Sequence, residues 1–230
     1  MVDVAARISS LGEGAIERLE AINGARERAL AETRQIVRLS ANATRATHRG
    51  EFEQSKELLS KARELLDGLS DLLGDYPSIY WSGYVQDSQK EYAEASITLG
   101  VISRGGIDGP VELNVEQAVY LNGMGEAAGE FRRYALDCIR RADIDEAVRV
   151  LGVMDEIYGV LVSVDFPDAI TGGLRRTADM VRGVLERTRG DLTMALQQRK
   201  LTEALGRAEE LVRTIGDGSE SEPSPDQHSS

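Results

Sequence analysis

No proline interrupts the first 76 residues of this 230-residue chain. Proline removes a helical hydrogen bond and clashes with the preceding turn, so its absence over such a stretch leaves long helices free to form. Apolar residues supply the matching pattern: Ile8, Leu11, Ile16, Leu19 and Ile22 recur near the period of an amphipathic helix. Residues 3–47 therefore read as one long helix or two abutting ones, with Gly12, Gly14 and Gly24 weakening the N-terminal half. Residues 51–73 carry Phe52, Leu58, Leu59, Leu65, Leu66, Leu69 and Leu73 in a second helix. Gly74-Asp75-Tyr76-Pro77 ends it and opens a third, to about residue 103, because proline is tolerated in a first helical turn. The glycine-rich stretch 104–110 is a turn. A fourth helix is expected over 111–141 and a fifth, capped by Asp143, to about 162. A sixth follows Asp165-Phe166-Pro167, and a seventh or continuing segment runs to about 215. Nothing alternates as a strand does. The expected fold is an all-α bundle, one domain over residues 1–215, followed by a disordered acidic tail over 216–230 rich in Ser, Glu, Pro and Asp.

Composition bounds the class. No run approaches the 18 apolar residues of a membrane helix, and the start lacks a basic-then-apolar signal segment. The expectation is a cytoplasmic chain with no membrane partner. Cys138, the only cysteine, excludes an intrachain disulfide and a cysteine zinc site, and reads as a small core filler. A net charge of −12 argues against a generic nucleic-acid binder. Against that, residues 26–49 hold Arg26, Arg28, Arg34, Arg38, Arg45, His48 and Arg49, the most basic part of the chain. Such a helix is usually a solvated, salt-bridged face; the functional alternative is a phosphate track of Arg34, Arg38, Arg45 and Arg49. No aromatic platform for stacking bases is evident, so any sequence preference is expected to be weak.

Two short signatures carry the chemistry. Lys90-Glu91-Tyr92-Ala93-Glu94 and Gly125-Glu126-Ala127-Ala128-Gly129-Glu130 each set two glutamates on one helix face. Like charges so spaced repel unless a cation neutralises them, and facing pairs would offer hard oxygen donors to Mg²⁺ or Mn²⁺. The bland alternative is two solvated faces of an acidic helical protein. Gly123, Gly125 and Gly129 tilt the balance, because glycines inside a helix suggest close approach by another helix or a ligand. Lys90 directs its side chain away from Glu91 and is not expected to join the site.

Together these strings resemble the translin superfamily, on the side of translin-associated factor X. The resemblance rests on Glu91-Tyr92-Ala93-Glu94-Ala95 and on the run from Val119 through Gly123-Met124-Gly125-Glu126 to Glu130-Phe131-Arg132-Arg133. Arg38-Leu39-Ser40, His48-Arg49, Asp165-Phe166-Pro167 and Gly173-Leu174-Arg175-Arg176 with Asp179 keep the same order, over residues 26–200. It implies a seven-helix bundle in a hollow homo-oligomer, an octamer by the family's pattern, holding single-stranded RNA, with single-stranded DNA as an alternative ligand. It further implies a metal-dependent endoribonuclease in which Glu91, Glu94, Glu126 and Glu130 are both catalytic residues and ligands of Mg²⁺ or Mn²⁺. The family usually has aspartate where this chain has Glu126. Three rivals stand beside this reading. A binding-only oligomer has an inactive cluster. An all-α nucleotide pyrophosphohydrolase shares the Glu-x-x-Glu pair but fits the Gly-rich context poorly. A ferritin-like di-iron protein needs Glu-x-x-His pairs, which a chain with only His48 and His228 lacks.

Overall fold

Asp3 accepts a hydrogen bond from the backbone N–H of Ala5, and helix α1 then runs unbroken over Val4–His48. This is the first element of a computed structural model that describes residues 3–219. The second, α2, spans Phe52–Leu73. The expected third helix is two: α3 (Pro77–Tyr80) and α4 (Gly83–Ile102). Ser82 causes the break, its backbone extended and its hydroxyl donating to the Ile79 carbonyl 2.6 Å away, so α3 cannot continue. Helix α5 covers Gln117–Arg140 and starts later than its pattern suggests, because residues 110–114 turn, with Asn114 at φ 50°. Asp143 caps α6 (Ile144–Ser163) as expected, accepting from the Glu146 N–H. The sixth expected helix is only α7 (Asp168–Thr171), ended by Gly172 in the left-handed region. Its continuation is the 46-residue α8 (Leu174–Ser219). Residues 216–219, expected in the tail, therefore continue this helix, and the remainder of that tail, 220–230, lies outside the described residues. Among the described residues there are no strands, and no helix is long and apolar enough to cross a membrane.

Side-chain contacts fix the packing. Antiparallel α1 and α2 are pinned by a 2.9 Å hydroxyl contact between Thr47 and Ser55, whose hydroxyl also bonds the Ala43 carbonyl. Helices α4 and α5 run parallel, joined by the crossover 103–116. Gln89 accepts from the Glu116 N–H before α5 begins, and Gly123, further along α5, sits against Lys90, Ala93 and Glu94. Helix α8 parallels α5 in turn, through Asn122 with Thr177 and Arg132 with Thr188. Between them lie the fully buried Ile36, Leu66, Ile97, Phe131, Met154 and Leu185. Cys138 is buried and unpaired, the filler its setting suggests.

A buried carboxylate ties the end of α4 to α6. Glu146 is 6% exposed, bonded by Arg149, by Tyr134 and by Arg104 at the turn after α4. The hydrogen bond from Arg149, outweighing burial and joined by Arg104, holds its carboxyl down to about 2 from the ordinary 4.5. With the folded pKa depressed, the stability it supplies is present above about pH 4.5 and is lost as pH falls toward 2. Glu146→Ala leaves two arginines without their partner, and urea unfolding at pH 7 is expected to register a loss of about 3 kcal/mol.

Both long helices project beyond the bundle. Val4, Ile8, Leu11, Ile16 and Leu19 of α1, and Leu201, Leu205, Leu211 and Val212 of α8, are all more than half exposed.

Candidate metal centre

The glycines of α5 decide where the acidic pairs meet. A methyl on Gly123 would lie 2.8 Å from the Lys90 carbonyl oxygen and 3.2 Å from the Glu94 nitrogen. One on Gly125 would lie 2.3 Å from a methyl of Thr177 on α8. Gly129 faces open space. Two of the three thus let α5 lie directly on its neighbours, as the sequence suggests, and the third does not.

This close approach brings one oxygen each of Glu91, Glu94 and Glu126 within 4.8 Å of one another. Glu130 stands apart from that trio. Its Oε2 is 2.5 Å from Nε2 of His48, a side chain 4% exposed at the end of α1, and 3.8 Å from Arg133. It still shares a cavity of about 210 Å³ with Glu91, Glu94, Arg45 and Ser40. The Ser40 hydroxyl is buried there without a hydrogen-bond partner. Lys90 departs from expectation: its Nζ reaches across to Glu126 at 2.9 Å, because the parallel neighbour lies beside the flank of α4 as well as its acidic face.

Electrostatics follow from this crowding. Burial, then the charges of Glu91, Glu126 and Glu130, push the Glu94 carboxyl up to about 8. Burial and the Glu126 charge raise Glu91 also. Glu130 moves the other way, held down by its hydrogen bond to His48. Burial works against the Lys90 ammonium, but its bond to Glu126 holds its pKa above the ordinary value. A site in which burial and neighbouring carboxylates raise a carboxyl's pKa, with three carboxylate oxygens converging and an unpartnered hydroxyl beside them, fits a hard divalent cation. Glu91, Glu94 and Glu126 are the residues that would hold such an ion.

Arg34, Arg38, Arg45 and Arg49 are all exposed. At about 100° per residue they fall within about 60° of one another, one stripe along α1 that ends at its C-cap, Arg49. Arg45 reaches the acidic cavity, Arg49 is paired with Glu51, and Arg34 and Arg38 make no ion pair among the described residues. Sequence reasoning misses His48, Lys90 and Arg133 as members of the site. His48 stands in the sequence as a landmark, but only the fold reveals that the end of α1 meets α5.

Fold and site define a helical bundle that gathers glutamates from two parallel helices beneath an arginine-bearing third. No family model matches the chain. Among solved structures it is similar to AfC3PO, alone and in a complex with duplex RNA, at 36% identity and a TM-score of 0.76, covering 81% of this chain and 97% of AfC3PO. Apo-NeC3PO shares the fold at 20% identity and a TM-score of 0.72, covering 80% of this chain and 96% of that one. An uncharacterized protein of Methanocaldococcus jannaschii is 29% identical over 186 residues, 80% of this chain and 82% of its own length. The chain belongs to the translin superfamily, among its C3PO-like members.

Proposed function

We propose that this protein is a Mg²⁺- or Mn²⁺-dependent endoribonuclease that holds single-stranded RNA inside a homo-oligomer. The observation that carries the reading is the convergence of Glu91, Glu94 and Glu126 across two helices, beside a cavity that Arg45 and Arg133 also line. These three glutamates would hold the ion, with Glu130 completing the acidic set. Bound there, a divalent cation supplies positive charge to a phosphodiester and lowers the pKa of water. The chain's own residues do the rest. His48 orients Glu130, Lys90 balances Glu126, and the α1 stripe of Arg34, Arg38, Arg45 and Arg49 draws the phosphates in. Glu126, with its extra methylene relative to the family's aspartate, keeps the charge and the oxygen donors.

The duplex RNA complex formed by AfC3PO supports RNA as the ligand; that the strand is single is what the family resemblance implies, with single-stranded DNA the alternative to test. Self-association draws support from the apolar stripes on the projecting ends of α1 and α8, which a second copy would cover. An octamer is what the family resemblance implies, and light scattering of the purified protein should return eight times the monomer mass. A second reading, the binding-only oligomer, draws on Lys90 and His48, which already pair with two of the four glutamates. Family membership sets the pyrophosphohydrolase aside.

Cleavage of a labelled single-stranded RNA separates the two. The protein with Mn²⁺ or Mg²⁺ is expected to cut, and a Glu126→Ala, Glu130→Ala variant of unchanged assembly is expected not to. An assembled protein that retains RNA but never cuts it would establish the binding-only reading. Arg38→Ala should weaken binding of unrelated sequences alike and flatten its salt dependence by about one unit of slope.

A further inference from the structure

A second and larger opening adjoins the acidic cluster. It measures about 880 Å³ and is lined by Trp81, Lys90, Glu126, Ile170, Arg176 and Met180 among others. Glu126 belongs both to the converging trio and to this cleft, and its ion-pair partner Lys90 lines the cleft beside it, so the cleft adjoins the cluster at Glu126. Its volume falls within the range of about 300–1,000 Å³ that holds small organic ligands.

We propose that this cleft is a nucleotide subsite for single-stranded RNA, in which one base stacks on the Trp81 indole and an adjoining phosphate meets Arg176. The proposal rests on the reading of the cluster as an RNA-handling site, and adds where a nucleotide beside it would lie. Trp81 occupies the break between α3 and α4 and is 60% exposed, although an indole has more apolar surface to bury than almost any side chain. Its ring is nonetheless held, edge-on to Tyr80 with centroids 5.1 Å apart, while the Tyr80 hydroxyl donates to Glu116 at 2.7 Å. An exposed aromatic face of fixed orientation is what base stacking requires, and every base has a face to offer it.

Arg176 supplies the charge. It lies in the first turn of α8, is exposed, and has no carboxylate within ion-pair distance among the described residues. Its neighbour Thr177 anchors that turn by donating to Asn122 at 2.6 Å. The cleft's carboxylates are largely engaged: Glu116 by Tyr80, Glu126 by Lys90, and Asp87 at 3.7 Å from the same ammonium. A planar apolar surface next to an unengaged guanidinium matches a nucleobase joined to a phosphate. A purely anionic ligand would leave the indole without purpose.

Trp81 is the chain's only tryptophan, so its fluorescence reports this cleft alone. The full-length protein, kept metal-free with EDTA so that nothing is cut, is titrated with an end-labelled single-stranded RNA and with an abasic strand of equal length. Anisotropy of the label reads binding independently. The RNA is expected to quench Trp81 fluorescence along the binding curve, while the abasic strand binds without quenching. Trp81→Leu, its melting temperature checked, should weaken RNA binding by about 5- to 150-fold, the range of one lost stacking contact. It should leave the abasic strand's affinity unchanged. Arg176→Gln should lower the salt slope for both strands by about one. RNA that binds by anisotropy without changing Trp81 emission, or equal quenching by both strands, overturns the subsite and leaves the nuclease reading standing. RNA that does not bind at all overturns both.

Discussion

Replacing Glu94 by glutamine is expected to remove metal-supported cleavage and, in the same variant, to make the metal-free protein more stable. The two effects share one cause. Glu94 is the most confined of the clustered carboxyls, and burial with three nearby glutamates lifts it to about 8. Between its ordinary 4.5 and about 8, the folded chain keeps a proton that the unfolded chain releases. Stability therefore falls as pH rises through that window, and the cost is complete above pH 8. Glutamine keeps the shape and carries no charge, so its advantage should be absent below pH 4.5 and largest above pH 8. A gain of 1 kcal/mol moves the melting temperature of a chain this size by about 2–4 °C, so thermal melts in EDTA at pH 4.5 and pH 8.5 resolve it. Added Mn²⁺ should raise the melting temperature of the unaltered protein at pH 8.5 and leave the variant where it was. Cleavage should drop about 10²-fold or more, since loss of a ligand exceeds the 10- to 100-fold typical of the partners behind one. A variant that melts lower than the parent at pH 8.5 in EDTA would show that the cluster is not electrostatically strained, and the argument for a cation there would lose its main support.

The sequence carries much of this site, and the part it withholds has a physical pattern. Whatever lies within one helix can be read from spacing: Glu91 with Glu94, Glu126 with Glu130, the cap at Asp143, the proline that starts α3. Whatever depends on two helices meeting cannot. Lys90 is one residue from Glu91 and on an isolated helix faces elsewhere; only the parallel packing of α5 puts Glu126 within 2.9 Å of its ammonium. His48 is 82 positions from Glu130, and no local pattern joins them. Breaks in helices form an intermediate case. Ser82 is a residue type that favours helix starts, yet the apolar periodicity passes through it and hides the boundary between α3 and α4. At residues 111–114 a promising helical pattern yields to a turn because Asn114 tolerates positive φ.

The three glycines of α5 should respond in opposite directions to the same change, and this tests whether close packing assembles the site. At Gly123 a methyl would press on the backbone of α4 at Lys90 and Glu94, which cannot swing aside as a side chain can. Gly123→Ala must therefore push the two helices apart, at a cost of about 1–3 kcal/mol for an overfilled contact. The same shift would separate Glu126 from Glu91 and Glu94, so Mn²⁺ affinity should fall together with stability. Gly125→Ala meets Thr177 at 2.3 Å instead, on the far side toward α8. It should destabilise comparably while sparing the spacing between α4 and α5, so metal affinity should hold in the folded fraction. Gly129→Ala meets nothing and, with helical backbone either way, should stabilise by about 0.5–1 kcal/mol. Denaturant unfolding and calorimetric Mn²⁺ titration of the three variants give six numbers with a fixed pattern of signs. If Gly123→Ala binds Mn²⁺ as tightly as the parent, the glutamates do not owe their convergence to this contact. If it loses the metal while Gly125→Ala keeps it, the absent methyl group at position 123 is what allows two acidic helices to act as one site.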